Sequence, residues 1–585
     1  MTALMKAAVM LVLLTLMVLT PSYGDGHARG ESLGLSVETY PAKCQFKPGE
    51  TVSIEVVVSN AHARRACGEL SVSIKRLAEE VHVVHTSIEV QPRASLTREF
   101  RWTPPPEVAG YGVDVALQVG ADSLRASTAF DVADWWTRAP RYGFLCDFPH
   151  EDADVGKRTD SMNRYHINAV QFYDWMYRHD TLLPGSEEFT DSMGRRLSIR
   201  TVESKIRAVK DLGMAAMAYV TVYAASREFF EEHRDWALWE RVGVPYTLGD
   251  GYLYLMNPAR SSPWHARMMS EYQRAVTGAG FDGVHIDQYG YPKNAFTTPT
   301  CDAESLLRVD RVFADFVDDA KDAVGKVRPG AYVVFNCVNN WPVENIAPSD
   351  ADIVYIEVWP PHDTYADIVE LISEGRRLGS GKAVVLAAYL SPAFEPSVRY
   401  LDAVIFSAGG SHIELGEGEN MLADPYFPKY ERIPSRLAHA LRRYYDFCTR
   451  YVELLYLGVT EGAPGVEVSV LDYPSTTQDS ASDEIWLFPR RKENLVIINL
   501  VNFLRVKVPL WRSDQQAPPI LSDVRLRVRL ERSLSEVYFA SPEYEDGKMV
   551  KLEAIRVGEP REYVYEFVAP HLEYWSTVVI REQAG

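Results

Sequence analysis

The run Val202-Glu203-Ser204-Lys205-Ile206-Arg207-Ala208-Val209-Lys210-Asp211-Leu212-Gly213-Met214-Ala215-Ala216-Met217-Ala218-Tyr219-Val220-Thr221-Val222-Tyr223 decides the fold. Val202, Ile206, Val209 and Leu212 follow helix spacing, and Gly213 stands where a left-handed residue stops a helix. The apolar stretch Ala215–Tyr223 follows at once and reads as a strand buried on both faces. The same alternation extends from about 137 to 452. Further strands are expected at Tyr142–Asp147, Ala169–Tyr173, Gly283–Asp287, Tyr332–Asn336, Ile353–Glu357, Ala383–Tyr389 and Ser411–Glu414. Between them, Trp264, Met268 and Tyr272 form one helical stripe and Leu306, Val309, Phe313, Phe316 and Val317 another. Ser397 is placed to cap a helix running to Ala408-Gly409-Gly410. Eight strands, each followed by a helix, predict a (β/α)8 TIM barrel. An open doubly wound sheet would carry a glycine-rich phosphate loop after its first strand, and Cys146-Asp147-Phe148-Pro149 is not one.

The flanks read differently. Over residues 30–135, Val52, Ile54, Val56 and Val58, then Leu70, Val72 and Ile74, then Val113, Val115, Leu117 and Val119 alternate with mostly polar neighbours. This predicts half-buried strands and an immunoglobulin-like β-sandwich. Residues 455–585 return to strand patterning at Glu484–Phe488, Leu495–Val501, Val524–Val528 and Tyr563–Val568, which predicts a C-terminal β-sandwich. At the start, Lys6 precedes an apolar run from Ala7 to Leu19 that ends in Pro21-Ser22-Tyr23-Gly24. Residues 1–24 therefore read as a secretory signal peptide, with a retained N-terminal anchor as the alternative. A secreted, extracellular and monomeric protein is expected, with no membrane attachment after cleavage.

Lys and Arg number 61 against 80 Asp and Glu, a formal charge of −19 over 585 residues. A duplex-binding protein needs a basic face, so nucleic acid is not an expected partner. The six cysteines are too few for a disulfide framework, although Cys44 and Cys67 lie close enough in sequence to be a candidate pair. No CxxC, HExxH or Cys/His cluster occurs, so neither a metal nor another cofactor is expected.

In such a barrel the chemistry sits at the C-terminal ends of the strands. The ionisable residues there are Asp147, Asp174, Asp287, Glu357 and Glu414, with no strand-end lysine and with His285 beside them. Phosphate-binding barrels place cations or helix N-termini at these positions. Acetal cleavage instead needs a pair of carboxylates, one protonated and one ionised. Trp175, Trp341, Trp359 and the tyrosines Tyr219 and Tyr223 offer flat apolar faces, and Asn336 a hydrogen-bonding group, a mixture that suits sugars.

Phe281-Asp282-Gly283-Val284-His285-Ile286-Asp287-Gln288-Tyr289-Gly290 resembles the strand-4 nucleophile motif of glycoside hydrolase family 66, the dextranases and cycloisomaltooligosaccharide glucanotransferases. Val354-Tyr355-Ile356-Glu357-Val358-Trp359-Pro360 resembles that family's acid/base motif on strand 6. Asn168–Met176, and the stretch from Gly409 to Glu417, are similar to its segments after strand 2 and around strand 8. The resemblance implies Asp287 as nucleophile and Glu357 as acid/base, in the same three-part architecture. One departure is Val284, where the family tends to carry Trp, and this bears on which sugar is accepted. No counterpart of the carbohydrate-binding insertion of the cyclising members is seen between strands 4 and 6, which favours hydrolysis.

The residues and the resemblance together predict a retaining, endo-acting hydrolase of α-1,6-glucan (dextran). Asp287 would form a glycosyl-aspartate intermediate, and Glu357, in an apolar setting between Ile356 and Val358, would be held protonated. Asp174, Trp175, Tyr219, Tyr223, His285, Asn336, Trp341, Trp359 and Glu414 are the expected substrate-binding residues. The alternatives are a transglycosylase of the same family, making cyclic or linear isomaltooligosaccharides, and an α-glycosidase of different linkage specificity. A non-catalytic glycan-binding protein ranks below these.

Overall fold

Eight parallel strands share one sheet in the computed structural model, which describes residues 34–152, 155–478, 482–559 and 561–583. The segment read as a signal peptide lies outside them. The strands are Tyr142–Leu145, Ala169–Phe172, Ala215–Thr221, Gly283–Asp287, Tyr332–Val338, Val354–Glu357, Val384–Ala387 and Ser411–His412, here strands 1 to 8. Each pairs with its neighbours in chain order, and a parallel bridge from Phe144 to Gly416 joins strand 1 to the chain just past strand 8. The Phe144 amide donates to the Leu415 carbonyl at 3.1 Å, so the sheet rolls into a barrel.

Alternation along the strands sorts the side chains. Tyr142, Phe144, Met217, Val334, Tyr355, Val385, Ala387 and Ile413 pack together inside the barrel. Their neighbours Leu145, Val170, Ala218, Val284, Ile286, Val333, Ile356 and Leu386 join the outer core beneath the helices. That outer layer explains why the strands read as unbroken apolar runs. Helix Ile199–Asp211 buries Val202, Ile206 and Val209 and is capped by Ser198, and Gly213 adopts φ 84° just beyond it. Ser262 caps Pro263–Arg274, and the helix Val309–Val327 carries the predicted Phe313/Phe316/Val317 stripe. Ser397 is not a cap: the helix starts at Glu395, and the Ser397 hydroxyl donates to the Ser513 carbonyl.

Seven antiparallel strands between Leu35 and Val132 form sheets of three and four around one apolar core. Beyond the barrel, sheets of four and six strands enclose a second core. Cys44 and Cys67 are not paired: Cys44 is buried at the barrel junction and Cys67 is exposed on its strand. Two small sheets rise from the loops after strands 3 and 4, where Trp239 pairs with Phe296.

Strands 4 and 5 approach closely at Gly283, where an added Cβ would lie 2.2 Å from the Tyr332 carbonyl oxygen. Gly283→Ala should therefore destabilise the protein by about 1–3 kcal/mol, as overpacking against a fixed backbone does. Urea unfolding checks this, and an unchanged midpoint would mean the two strands are less tightly apposed.

Candidate active site

Asp287 ends strand 4 and Glu357 ends strand 6, both on the inward phase, with Asn336 of strand 5 between them. The Asn336 amide donates to Asp287 Oδ1 at 2.8 Å and to Glu357 Oε2 at 2.8 Å from the same nitrogen. The two carboxylate oxygens therefore lie within about twice that distance of each other, near the ~5–5.5 Å separation of retaining glycosidases. Tyr219, from strand 3, donates to the other Asp287 oxygen at 2.7 Å. Tyr389, just after strand 7, donates to the other Glu357 oxygen at 3.0 Å. All four carboxylate oxygens are thus fixed by neighbouring strands.

The electrostatics differ from the expected division of an ionised aspartate and an apolar glutamic acid. Burial, then the charge of Glu357, pushes Asp287 up to about 7, against the pull of Tyr219, Asn336 and the Gln288 amide. Burial likewise raises Glu357, against donors from Asn336, Tyr389 and Trp359. Both groups are hydrogen-bonded and both resist ionisation, so the two titrate as a unit and the first charge formed disfavours the second.

Below the pair, His285 lies in the barrel floor with its Nδ1 3.0 Å from the Tyr142 hydroxyl and its ring edge-on to Tyr355. Burial lowers its pKa to about 3, so it is neutral, and it supports the site rather than touching sugar. Several other expected contacts are corrected. Trp175 is wholly buried, packs on Phe281 and donates to the Tyr219 carbonyl. Tyr223 is buried too: it donates to the Tyr291 carbonyl and accepts from the Tyr289 amide, bracing the loop after strand 4. Trp341, by contrast, is partly exposed, packs edge-on against Phe313 and has the Lys293 ammonium 3.4 Å from its ring centroid. Glu414 follows Ile413, which points inward, so it points outward, where it bonds Tyr445 and lies 3.5 Å from His412. With Asp402 these two residues form a buried trio whose ligand atoms come within 4.8 Å of one another, a spacing that could hold a metal ion. The trio lies behind strand 8, outside the cleft. Val284 also points outward, into the core beneath the helices, so the departure there concerns packing and not the sugar.

Asp174 and Trp359 stay near the mouth. Asp174 adopts φ 48° and lies 3.7 Å from Arg195, and burial raises it to about 7 despite that cation. Trp359 is partly exposed beside Tyr389. Sequence reasoning placed Tyr389 at the end of the seventh strand but did not single it out as a site residue. It also passed over the loop after strand 8, whose Phe427 stacks on Tyr173 at 4.3 Å and whose Tyr430 donates to Asp147. Period-2 phase was the signal that finds Tyr389, two residues beyond inward Ala387.

Two buried carboxylates bridged by one amide at the C-terminal mouth of a parallel barrel are the arrangement of a glycoside-cleaving enzyme. The chain belongs to glycosyl hydrolase family 66, whose sequence profile matches residues 41–579. A cycloisomaltooligosaccharide glucanotransferase of Niallia circulans is 25% identical over 700 aligned residues, spanning 92% of this chain and 71% of that protein. A second, from the same organism, is 24% identical over 740 residues, spanning 98% and 76%. The crystal structure of a Paenibacillus sp. cycloisomaltooligosaccharide glucanotransferase complexed with cycloisomaltoheptaose has the same fold, with a TM-score of 0.86 at 23% identity. It covers 93% of this chain and 100% of that one.

The raised Asp287 pKa has a consequence for stability. A carboxyl raised on folding favours the native state below its unfolded value near 4, and this contribution is lost as pH rises through about 7. Asp287→Asn removes that loss. Its melting temperature relative to wild type should rise between pH 4 and pH 8, as calorimetry would show. A difference independent of pH would mean Asp287 ionises as easily folded as unfolded.

Proposed function

We propose that this enzyme cleaves α-1,6-linked glucan by double displacement and passes the glucosyl unit to a sugar hydroxyl, giving cyclic or elongated isomaltooligosaccharides. The observation that carries the reading is the single Asn336 amide nitrogen bonded to both carboxylates. Glu357, holding the shared proton, gives it to the glycosidic oxygen while Asp287 attacks the anomeric carbon. The ester formed at Asp287 then yields to an acceptor hydroxyl whose proton returns to Glu357. Tyr219 and Asn336 hold the aspartate in line for attack, so little reorientation is needed at the reacting centre.

Transfer is favoured over hydrolysis by the relatives, which bear the name of glucanotransferases. Endo hydrolysis of dextran uses the same intermediate with water as acceptor, and the compact stretch between strands 4 and 6 speaks for it. Asp174 and Trp359 are the proposed sugar contacts at the mouth. The flanking β-sandwiches, the first of immunoglobulin-like type, would support the barrel. Secretion is proposed from the leader-like residues 1–24; among the described residues no helix is long and apolar enough to cross a membrane.

A dextran digest with products separated by size and mass tests this. Cyclic or lengthened isomaltooligosaccharides are expected, and Asp287→Asn and Glu357→Gln should each lower turnover by several orders of magnitude. Linear shortened products alone would favour the hydrolase. A variant keeping more than about a tenth of the activity would remove its residue from the mechanism.

A further inference from the structure

The active site occupies one end of the barrel, and a cavity of about 550 Å³ opens at the other. It lies where the N-terminal sandwich meets the beginnings of strands 2 to 5, lined by Gln45, Lys43, Trp135, Asn168, Arg328 and Tyr332 among others. Its size falls within the range of small-molecule sites. Trp135 is 48% exposed there, the one tryptophan of the twelve in the chain that leaves more than a third of its surface in solvent.

The indole is held in place rather than loose. Tyr332 packs nearly perpendicular to it, with ring centroids 6.2 Å apart, and buried Trp136 braces Tyr332 from beside it at 5.3 Å. Gly330, at φ +79°, brings its backbone against the indole, where an added Cβ would lie 3.7 Å from the ring. A large apolar face fixed in water loses little entropy on binding and gains by being covered.

The charged side chains lining it are nearly balanced, Lys43, Lys47, Lys210 and Arg328 against Glu50, Asp134 and Asp282, and most of them are paired. Lys43 pairs with Glu50 at 2.5 Å, Lys210 with Asp282 at 3.0 Å, Arg328 also with Asp282, and Asp134 with Arg138 at 3.1 Å. These ion pairs satisfy one another while keeping further donors and acceptors at the cavity wall. A rigid exposed indole beside a polar, largely paired rim suits a chain of neutral sugars, which offers flat C–H faces to the ring and hydroxyls to the rim.

We propose that this cavity is a second carbohydrate-binding site, with Trp135 as its stacking platform, and that it holds a remote stretch of a polymeric α-glucan. The ligand class rests on the function proposed above. Such a site would raise the local concentration of polymer without taking part in bond cleavage.

Two measurements test it. The first is retardation in native gels containing dextran, comparing Asp287→Asn with the double variant Asp287→Asn/Trp135→Ala. The second is kcat/KM on dextran and on isomaltotetraose for wild type, Trp135→Ala and Trp135→Phe. Trp135→Ala should weaken retardation and lower kcat/KM on dextran about three- to tenfold, the value of one aromatic stack. It should leave isomaltotetraose turnover unchanged, and Trp135→Phe should keep most of the polymer activity. Unchanged retardation, or equal losses on both substrates, would overturn the proposal. Failure of wild type to turn over either glucan would instead refute the function proposed above, whatever the gels show.

Discussion

Everything at the mouth of the barrel depends on two carboxylates sharing one amide. Asn336 offers a single nitrogen to both Asp287 and Glu357, and burial makes two adjacent negative charges costly. Burial raises both carboxyls, which favours the pair's keeping a proton, and the proposed double displacement needs one carboxyl protonated at its first step. The arrangement that the proposed mechanism needs is also expected to cost stability at high pH, a conflict between function and stability. Tyr219 and Tyr389 take the remaining two oxygens, so neither carboxylate turns without breaking a hydrogen bond.

The barrel creates this geometry through phase. Side chains alternate in and out along each strand, so a strand contributes to the mouth only through residues of one parity. Asp287 is in phase with His285, Glu357 with Tyr355, and Asn336 with Val334, and all of them face inward. Closure brings three separate strands to bear on one small volume. The buried floor of His285, Tyr142 and Tyr355 keeps that volume dry from below, which strengthens every interaction within it.

Much of this was legible in the sequence. The eight strands, their helices and the flanking β-regions follow from periodicity, because each buries its apolar face in a characteristic rhythm. The proposed catalytic pair was named from strand-end position and from the resemblance of its two motifs, and the structure sets the two carboxylates beside each other. The substrate contacts were less legible, because a strand-end residue faces the cleft only when its phase is right. Glu414 sits one residue beyond inward Ile413 and so fell on the helix side. Trp175 and Tyr223 lie past the strand ends, where the turning chain buries them. Residues supplied by the loop after strand 8, such as Phe427 and Tyr430, carry no local signal, since only closure of the barrel brings them to the site.

The most direct test of the central claim is the stereochemistry of the first product. In the proposed mechanism Asp287 and Glu357, tied to one amide nitrogen, stand too close for a water to act between nucleophile and sugar, and the reaction passes through an ester at Asp287. Proton NMR of the earliest reducing ends released from an α-1,6-linked substrate should show the α-anomer, before mutarotation mixes the two. A β-anomer appearing first would mean a single displacement by water, and the arrangement of the two carboxylates would then need another explanation.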